Sequence, residues 1–500
     1  MDKPNKSPIE GVKELFELVT DPRPENLKLD RKAIIERMES GELKHVDGQF
    51  ILNLLKYAEI DPDVVRRTVI TRRKINEGLK PSQEEAREFI EVLNCRTYPM
   101  SGLDISGYTF GNVDLCDGVI GGDFACQNVS AGEFMATDLE VEGDNLQRGL
   151  KATEVLQHGM KVRGNNDQAF MKVQGDNVQG MMEVEGDNMQ TGMYIKGCND
   201  QSNAKIKGHN DQRSVRIAGH NNQSGMIVCK NNMQTEMEVG SNNYQEDMLV
   251  SGNNIQSNMA VEGDNHQPYM RITKTNHQDG VKVGRGNHQK SIRVGNNNQE
   301  DMIVGSAYLE LKKRYGDYYY EDVDVMDMLD ETQYDCENIQ RGMVVEGDNK
   351  QSRMKIAGNN NQIELEISNH NTQKNMDVGR GNFQNGAIIG GENDQRCMKV
   401  RKSNNQIRAT IQGDNLQDHL DIQDDNDQCG MCVLGDSDQN DVMIHGNNNQ
   451  RGMKIDGYSS QEDLTVEGVN HQEEMAVKGK SNKTGMAILN HRKRRYKSAE

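Results

Sequence analysis

The sequence predicts a mainly β fold: a parallel β-solenoid of 11-residue repeats, preceded by a small α-helical domain. The first observation is a glutamine ladder, because Gln recurs every eleven residues over 168–289 and again over 340–472. With Gln147, Gln157 and Gln299 it makes 28 units. The second observation is that Asn stands two residues before Gln in 25 units, and Val or Ile stands five after it in 27. A strict short period is typical of repeat architectures.

The pattern inside one unit predicts strands. Met, Val, Gly, Asn and Gln alternate with variable residues as M-x-V-x-G-x-N-x-Q, and a period of two places them on one side of a strand. Stacked coils would bury Met and Val and would pair the Asn and Gln amides between coils. The ladder positions of two adjacent units are Asn177, Gln179, Met182, Val184, Asn188 and Gln190. The alternative use of the inward Gln is a binding groove.

Bends are expected at two places in each unit. The two residues between Gln and the next Met break the alternation, and at the G-D-N step Gly and Asn tolerate positive φ. An eleven-residue period also occurs in right-handed helical supercoils. Recurrent Gly disfavours that fold, since each Gly costs a helix about 1 kcal/mol.

The coil holds either one or two units. A single unit offers Met, Val or Ile, Asn and Gln inward, which is too much volume for a coil as tight as that of the insect antifreeze proteins. We therefore predict two units per coil, a repeat of about 22 residues. The V-x-G-x-N-x-Q pattern resembles the curlin repeats of bacterial amyloid fibres, which have two similar halves, although the spacing differs.

A second resemblance covers residues 104–139. Large apolar residues recur five apart, with one slip of a single residue: Ile105, Phe110, Leu115, Ile120, Phe124, Val129, Phe134 and Leu139. The residue before each is often Asp, Asn or Glu, so the segment resembles the pentapeptide-repeat family. That resemblance implies a right-handed quadrilateral β-helix with the central apolar residue inside. Such a segment would seed the coils that follow.

Composition narrows the class of protein. Trp is absent and aromatic residues are 4%, which argues against an ordinary globular core of this size. No apolar run is long enough for a membrane span and the start is polar. Nine Cys scattered along the chain predict reduced thiols and a cytoplasmic location. The net charge of −19 disfavours general nucleic-acid binding.

Residues 1–97 predict a helical domain that caps the solenoid, recruits a partner, or both. Ser7-Pro8-Ile9-Glu10 has the pattern of a capping box. Further predicted helices span 30–40, 47–58, 62–77 and 82–94. The run from Arg66 to Lys74 is its basic face, which we interpret as a solvated surface.

The segment 306–337 interrupts the 11-residue repeat. It is acidic and holds six of the fourteen Tyr, among them Tyr315, Tyr318, Tyr319 and Tyr320. The repeat resumes in register after it, so the segment is predicted to leave and re-enter the stack. The four Tyr are the candidate partner-binding residues, because Tyr is a favoured interface anchor. The alternative is a tolerated insertion.

The search for chemistry finds neither a catalytic motif nor a zinc motif, and we expect no enzyme activity and no cofactor. Two weak metal candidates exist. One is a ladder of His266, His277 and His288 at one repeat position, interpreted as a surface ladder. The other is a set of turn aspartates like those of calcium-binding nonapeptide solenoids, at Asp144, Asp176, Asp187, Asp264, Asp348 and Asp414.

At the C-terminus, Lys483 stands where Gln is due and residues 490–500 form a basic tail. The tail is either a charged stop against strand addition or a contact for an anionic surface or nucleic acid.

These parts predict six segments: 1–97, 98–141, 142–305, 306–337, 338–489 and 490–500. The expected function is a non-enzymatic intracellular scaffold that binds a protein partner. The alternative is an acidic DNA mimic that binds a DNA-processing enzyme, as some pentapeptide-repeat proteins do. A continuous acidic stripe would favour the mimic, and mixed charge would favour the scaffold.

Overall fold

The structure is a computed structural model that describes residues 79–93, 99–100, 103–305 and 337–489, together with Arg67, Ile70, Thr71 and Lys74. Most of the predicted helical domain before residue 79 lies outside the described residues. So do residues 306–336, which include the four candidate Tyr, and the tail 490–500. The chain divides into two compact units, Met1–Asp211 with Val215–Ile217 and Gln212–Ser214 with Ala218–Glu500. Both are built of parallel β-coils, about 16 in all, so the predicted fold class is confirmed.

Helix α1 spans Gln83–Leu93, where the sequence predicts a helix over 82–94. A reciprocal capping box starts it: the Ser82 hydroxyl accepts the Glu85 amide hydrogen at 3.2 Å and the Glu85 carboxylate accepts that of Ser82 at 2.8 Å. Phe89 and Ile90 are each 1% exposed. The helix therefore buries an apolar face.

The basic run before α1 contacts the acidic side of this helix. Arg67 pairs with Glu88 at 2.7 Å and Lys74 with Glu85 at 2.6 Å. The hydrogen bond from Lys74, followed by the Ser82 amide, lowers the pKa of Glu85. These two cations of the predicted basic face thus have carboxylate partners.

Helix α1 also covers the edge of the first coil. The Gln83 side chain bonds both backbone groups of Thr109, and the Tyr108 hydroxyl donates to the Pro81 carbonyl at 2.8 Å. Backbone groups on an open sheet edge otherwise invite strand addition. The helix therefore caps this end of the first unit.

The strands are short and their bounds follow the repeat. In chain order β1 to β21 are Pro99–Met100, Leu103–Asp104, Val113–Asp114, Val119–Ile120, Phe124–Ala125, Glu133–Met135, Glu140–Val141, Asn145–Arg148, Lys151–Ala152, Glu154–Leu156, Lys161–Val162, Asn166–Ala169, Lys172–Val173, Asn177–Val178, Glu183–Val184, Asn188–Thr191, Tyr194–Ile195, Asn199–Asp200, Lys205–Ile206, Asn210–Arg213 and Arg216–Ile217. Strands β22 to β40 are Asn221–Asn222, Ile227–Val228, Asn232–Thr235, Glu238–Val239, Asn243–Tyr244, Leu249–Val250, Asn254–Ser257, Ala260–Val261, Asn265–Pro268, Arg271–Asp279, Lys282–Val283, Asn287–Lys290, Arg293–Glu300, Ile303–Val304, Glu337–Arg341, Val344–Val345, Asn349–Ser352, Lys355–Ile356 and Asn359–Ile363. Strands β41 to β60 are Glu366–Ile367, Asn371–Lys374, Asp377–Val378, Asn382–Asn385, Ile388–Ile389, Asn393–Val400, Asn404–Ile407, Thr410–Ile411, Asn415–Ile422, Asn426–Cys429, Cys432–Val433, Ser437–Ile444, Asn448–Arg451, Lys454–Ile455, Ser459–Glu462, Thr465–Val466, Asn470–Glu473, Ala476–Val477, Ser481–Thr484 and Ala487–Ile488.

Within each unit these strands form two parallel sheets, called sheet 1 and sheet 2. Sheet 2 contains β3, β6, β10, β14 and β18 in the first unit. In the second unit it contains β22, β26, β30, β33, β36, β40, β44, β47, β50, β53 and β57. Sheet 1 contains the other strands. The Asn-x-Gln segments of successive units alternate between the two sheets.

The first coils have 21 residues, which is the interval between hydrogen-bonded partners on adjacent coils. Leu103 pairs with Phe124 and Val113 with Phe134. All eight predicted central residues of 104–139 are at most 7% exposed. The inward placement implied by the pentapeptide resemblance is therefore confirmed.

The later coils have 22 residues by the same measure. Asn166 pairs with Asn188, and Glu183 pairs with Lys205. Two units therefore form one coil, as predicted. Met182 and Val184 are 3% and 2% exposed and lie in the apolar core.

The inward glutamines form one spine in each unit rather than two separate ladders. Gln179 Nε2 donates to Gln168 Oε1 at 2.6 Å and to Gln157 Oε1 at 2.9 Å. Gln168 lies eleven residues earlier, on the opposite sheet, and Gln157 lies twenty-two residues earlier, on the same sheet. Each amide thus joins both sides of the coil as well as adjacent coils. Every ladder Gln before Gln472 is buried, which leaves no groove along them in the described coils.

The Asn ladders stay within one sheet each. Asn177 Nδ2 donates to Asn199 Oδ1 at 2.7 Å, and Asn188 Nδ2 donates to Asn210 Oδ1 at 2.7 Å. Where a ladder starts or is broken, a polar atom is left without a partner. Asn177 Oδ1 is one such atom, since Val155 occupies the place below it. Asn415 Nδ2 is another, since Ser437 follows in the next coil.

The bend after each Gln is confirmed and has a fixed conformation. The second residue after Gln takes positive φ, as in Phe170 at 56° and Gly192 at 61°. The side chains at this corner vary widely. The coil geometry therefore imposes a left-handed conformation that costs a non-glycine residue about 1–2 kcal/mol.

The positive φ expected at the G-D-N step is wrong for the glycines. In the described coils no glycine four residues before Gln has positive φ. These glycines instead lie against the coil below: a Cβ on Gly186 would come within 2.4 Å of Asn165 Oδ1 and 2.6 Å of the Gly164 carbonyl oxygen. Close approach, not a left-handed turn, requires Gly here.

Candidate interaction face

The chain leaves the coils of the second unit after Gly305 and resumes in the next coil, where β36 pairs with β33. The segment 306–337 is called the excursion. Gly305 ends the described chain on one side and β36 begins at Glu337, which the sequence pattern assigns to the insertion. Asn287 Nδ2 donates to Asn338 Oδ1 at 2.9 Å across it. The predicted register is therefore kept, and the coils on either side of the excursion lie in the same compact unit.

The six turn aspartates have a structural task. Each carboxylate Oδ1 accepts an amide hydrogen from the next coil on the same side, at 2.7–3.4 Å; the carboxylates belong to Asp144, Asp176, Asp187, Asp264, Asp348 and Asp414. Asn at the same position does the same, as Asn165 Oδ1 accepts the Asp187 amide hydrogen at 2.8 Å. The side-chain oxygen of Asn accepts this hydrogen bond as well as that of Asp does. This shared role explains why Asp and Asn alternate at this position, and it requires no bound cation.

The three predicted His do not form one ladder. His266 and His288 lie on adjacent coils of sheet 2, whereas His277 lies on sheet 1 next to Asn298. A spacing of eleven residues moves a side chain to the opposite sheet, so the idea of three stacked imidazoles is wrong. Only His266 and His288 stack.

Sheet 2 carries a column of rings in the second unit, which we call the ring column: Tyr244, His266 and His288. The ring centroids of Tyr244 and His266 are 5.2 Å apart with 4° between planes. Those of His266 and His288 are 4.9 Å apart with 11° between planes. His220 adds a tilted ring 6.0 Å from Tyr244. Because stacked rings cover each other's faces, their edges and polar atoms are what a partner would meet.

The surroundings of His266 favour its neutral form. Burial and then the nearby His288 lower the pKa of His266. The two oxygens of Asp264 lie 3.8 Å from His266 Nε2 and 3.9 Å from His288 Nε2.

At two turns a glycine leaves room for the ring of the residue two positions later. A Cβ on Gly286 would lie 2.3 Å from His288 Nε2, and one on Gly381 would lie 2.4 Å from Phe383 Cε2. Both belong to the sequence V-G-R-G-N-(H/F)-Q, at 283–289 and 378–384. The sequence reasoning missed this signal, in which Gly replaces the usual Asp or Asn beside an outward ring.

The ring column ends at the base of the Tyr-rich excursion. His288 pairs with Ile339 in β36, the first strand after the excursion. The described chain therefore resumes, at Glu337, in the coil next to His288. The structure thus places Ile339, two residues after the chain resumes, beside a ring column that the sequence did not connect with this part of the chain.

The outward columns carry both signs of charge. In the first unit Lys161 contacts Glu140 at 2.9 Å, and Lys205 contacts Glu183 at 3.1 Å. These four residues share one column of adjacent coils. No helix within the described residues is long and apolar enough to cross a membrane.

No protein-family model, curated protein or solved structure matches this chain. The resemblances to pentapeptide and curlin repeats therefore remain predictions at the level of family, although the β-coil geometry they imply is present.

Proposed function

We propose that the protein is a non-enzymatic scaffold that binds a protein partner through the ring column and the Tyr-rich excursion together. The observation that carries this proposal is the pairing of His288 with Ile339, which places the ring column at the point where the excursion returns. Tyr side chains anchor many interfaces, and loops on a rigid scaffold often carry function. A composite surface would join both features.

Charge indicates the chemistry of the partner. Residues 306–337 contain ten Asp or Glu and three Lys or Arg. Asp264 lies beside the ring column. A partner with a basic surface and groups able to contact ring edges fits this face, and electrostatic attraction would speed its association.

The acidic DNA mimic has less support. A mimic needs a continuous acidic surface, whereas Lys207 contacts Glu185 at 2.6 Å and Arg293 contacts Glu346 at 2.9 Å on the outward side. Both signs of charge therefore alternate on adjacent coils. This arrangement favours the scaffold.

Site-specific photo-cross-linking tests the proposal. A photoreactive phenylalanine analogue is placed at position 288, at position 318, or at Thr372, an outward position of sheet 1 in the same unit. We expect one partner to be captured from positions 288 and 318 and not from 372. Capture at 288 should be lost when Tyr318, Tyr319 and Tyr320 are replaced by Ser.

Equal capture from position 372 would contradict a face-specific interaction. Unchanged capture at 288 in the triple Ser variant would separate the ring column from the excursion and contradict the composite surface. Circular dichroism of each variant checks that the coils remain folded.

A further inference from the structure

One corner of the second unit stacks four potential metal ligands on successive coils. Cys397, His419, Asp441 and Asp463 are each the second residue after a ladder Gln, and each follows the one before by a full coil of 22 residues. All four have positive φ, at 53°, 54°, 48° and 50°. The side chains therefore leave equivalent backbone positions on neighbouring coils, about 4.8 Å apart.

Three ligating groups converge within this corner. His419 Nδ1 lies 2.7 Å from Asp418 Oδ1, and His419 Nε2 lies 3.2 Å from Asp441 Oδ2. One ligand atom from each of the three residues lies within 4.8 Å of those of the other two. Ligand atoms around a tetrahedral zinc ion with bonds of about 2.0–2.1 Å are separated by about 3.4 Å, so small side-chain rotations would suffice.

The backbone that carries these groups is already ordered. Strands β46, β49 and β52 run through this corner without interruption, over Asn393–Val400, Asn415–Ile422 and Ser437–Ile444. Pairing on both sides of the corner, Asp418 with Asn440 and Leu420 with Val442, fixes the register. In most other coils the strand breaks at this corner. A site on paired strands holds its ligands more firmly than a site on a loop.

We propose that Asp418, His419 and Asp441 bind a divalent transition-metal ion of the zinc class, with water in the remaining position. One imidazole nitrogen would exchange its carboxylate contact for the metal, and the two carboxylates would supply the other protein ligands. A nitrogen ligand favours zinc, cobalt or nickel over calcium and magnesium, which prefer oxygen. The three side chains are 59%, 54% and 25% exposed for His419, Asp441 and Asp418, so the ion would be reachable from solvent.

The sequence hides this site because Asp441 is far along the chain from the adjacent pair Asp418 and His419. Asp441 follows His419 by one whole coil, so only the closure of that coil brings them together. The chain offers a matched comparison in His471, which is 53% exposed and lies 2.8 Å from a single carboxylate, that of Glu473. His471 lacks the second carboxylate from the adjacent coil among the described contacts.

Metal titration of the full chain tests the proposal. Zinc binding is measured by calorimetry, and cobalt binding by visible d–d absorption, for the wild type and for His419→Asn, Asp441→Asn and His471→Asn. Asn tolerates positive φ, so the first two variants remove a ligand without straining the corner. We expect zinc affinity to fall at least tenfold for His419→Asn and Asp441→Asn and to stay unchanged for His471→Asn.

Three results would overturn the proposal. One is the absence of cobalt d–d bands in the wild type. Another is an equal affinity in all four proteins. The third is a thiolate-to-cobalt charge-transfer band that disappears in Cys397→Ser while the His419→Asn variant binds normally, since that would assign the ion to the cysteine. Unchanged circular dichroism shows that a lost affinity comes from the missing ligand.

Discussion

The side-chain amide of Gln340 donates a hydrogen bond of 2.7 Å to Oε1 of Gln299, although 41 residues separate them. Neighbouring glutamines elsewhere in the spine are 10 or 11 residues apart, as Gln299 and Gln289 or Gln362 and Gln351 are. Gln340 also donates to Gln289 at 3.3 Å. The spine of the second unit thus continues past the excursion as if those residues were absent.

The excursion should therefore be dispensable for folding. Replacing residues 306–337 by Gly-Asp restores an ordinary corner between Gly305 and Asn338. Shortening 32 residues to 2 halves the loop four times, and loop closure changes by about 0.6 kcal/mol per doubling, so we expect the free energy of unfolding to rise by at most about 2.4 kcal/mol. Circular dichroism and urea unfolding measure this. A loss of β signal would show instead that the excursion packs onto the coils.

Breaking the glutamine spine in its middle should be costly. Gln256 Oε1 accepts from Gln267 at 2.9 Å and Gln278 at 2.7 Å, and its Nε2 donates to Gln245 at 2.6 Å. Gln256→Leu removes these bonds, and each buried polar group left unsatisfied costs about 1–3 kcal/mol. We expect a total loss of at least about 3 kcal/mol in chemical denaturation.

The matched control is Gln472→Leu at the end of the spine. Gln472 is partly exposed, so water can replace its lost partners, and the Lys483 ammonium that donates to its Oε1 is exposed as well. We expect a loss below about 1 kcal/mol. Equal losses for the two variants would mean that the spine contributes no more than ordinary surface amides.

Replacing the glycine before an Asn-x-Gln strand by Ala should lower the stability of the protein. In Gly186→Ala the Cβ would meet the Gly164 carbonyl oxygen at 2.6 Å and its carbon at 2.8 Å. Backbone cannot move aside cheaply in a packed coil, and overpacking costs about 1–3 kcal/mol. The control Gly111→Ala, whose Cβ would meet nothing within 4 Å, should be nearly neutral. Thermal unfolding of both variants decides between close approach and a purely conformational role.

The pKa of His266 in the ring column should lie below its ordinary value. Burial and then His288 lower the pKa of His266 from its ordinary value of 6.5. The contribution of this group to stability is therefore present above pH 6.5 and is lost as the pH falls through its lower folded-state pKa. Imidazole NMR should show His266 titrating below 6.5, and His288→Asn should raise that pKa. A similar rise in His277→Asn, on the other sheet, would contradict the stacked arrangement.

The sequence predicts the features that repeat and misses those that depend on how the coil closes. The inward positions and the two-unit coil follow from alternation and side-chain volume, and Asn177 with Gln179 lies buried as that pattern requires. The left-handed corner does not follow, because residues as different as Phe170 and Arg353 occupy it. Only the closed coil forces that conformation on them.

The candidate faces depend on the same closure. An eleven-residue step changes sheet, so His277 leaves the column that His266 and His288 form. A step of two units returns to the same corner, which brings Asp441 to His419. Neither relationship is visible until the number of units per coil is known. The role of the Tyr-rich segment stays a prediction, because those residues lie outside the described chain.

Disulfide cross-linking tests the two-unit coil most directly. Glu183 and Lys205 are exposed, 22 residues apart and paired on adjacent coils, at a strand spacing of about 4.8 Å that suits a disulfide. Glu183 and Tyr194, one unit apart, lie in β15 and β17, which do not pair with each other. After mild oxidation, with the bridged peptides located by mass spectrometry, we expect a disulfide in the Glu183→Cys/Lys205→Cys variant and none in Glu183→Cys/Tyr194→Cys. A bridge in the second variant and not in the first would mean one unit per coil and would contradict the two-unit coil.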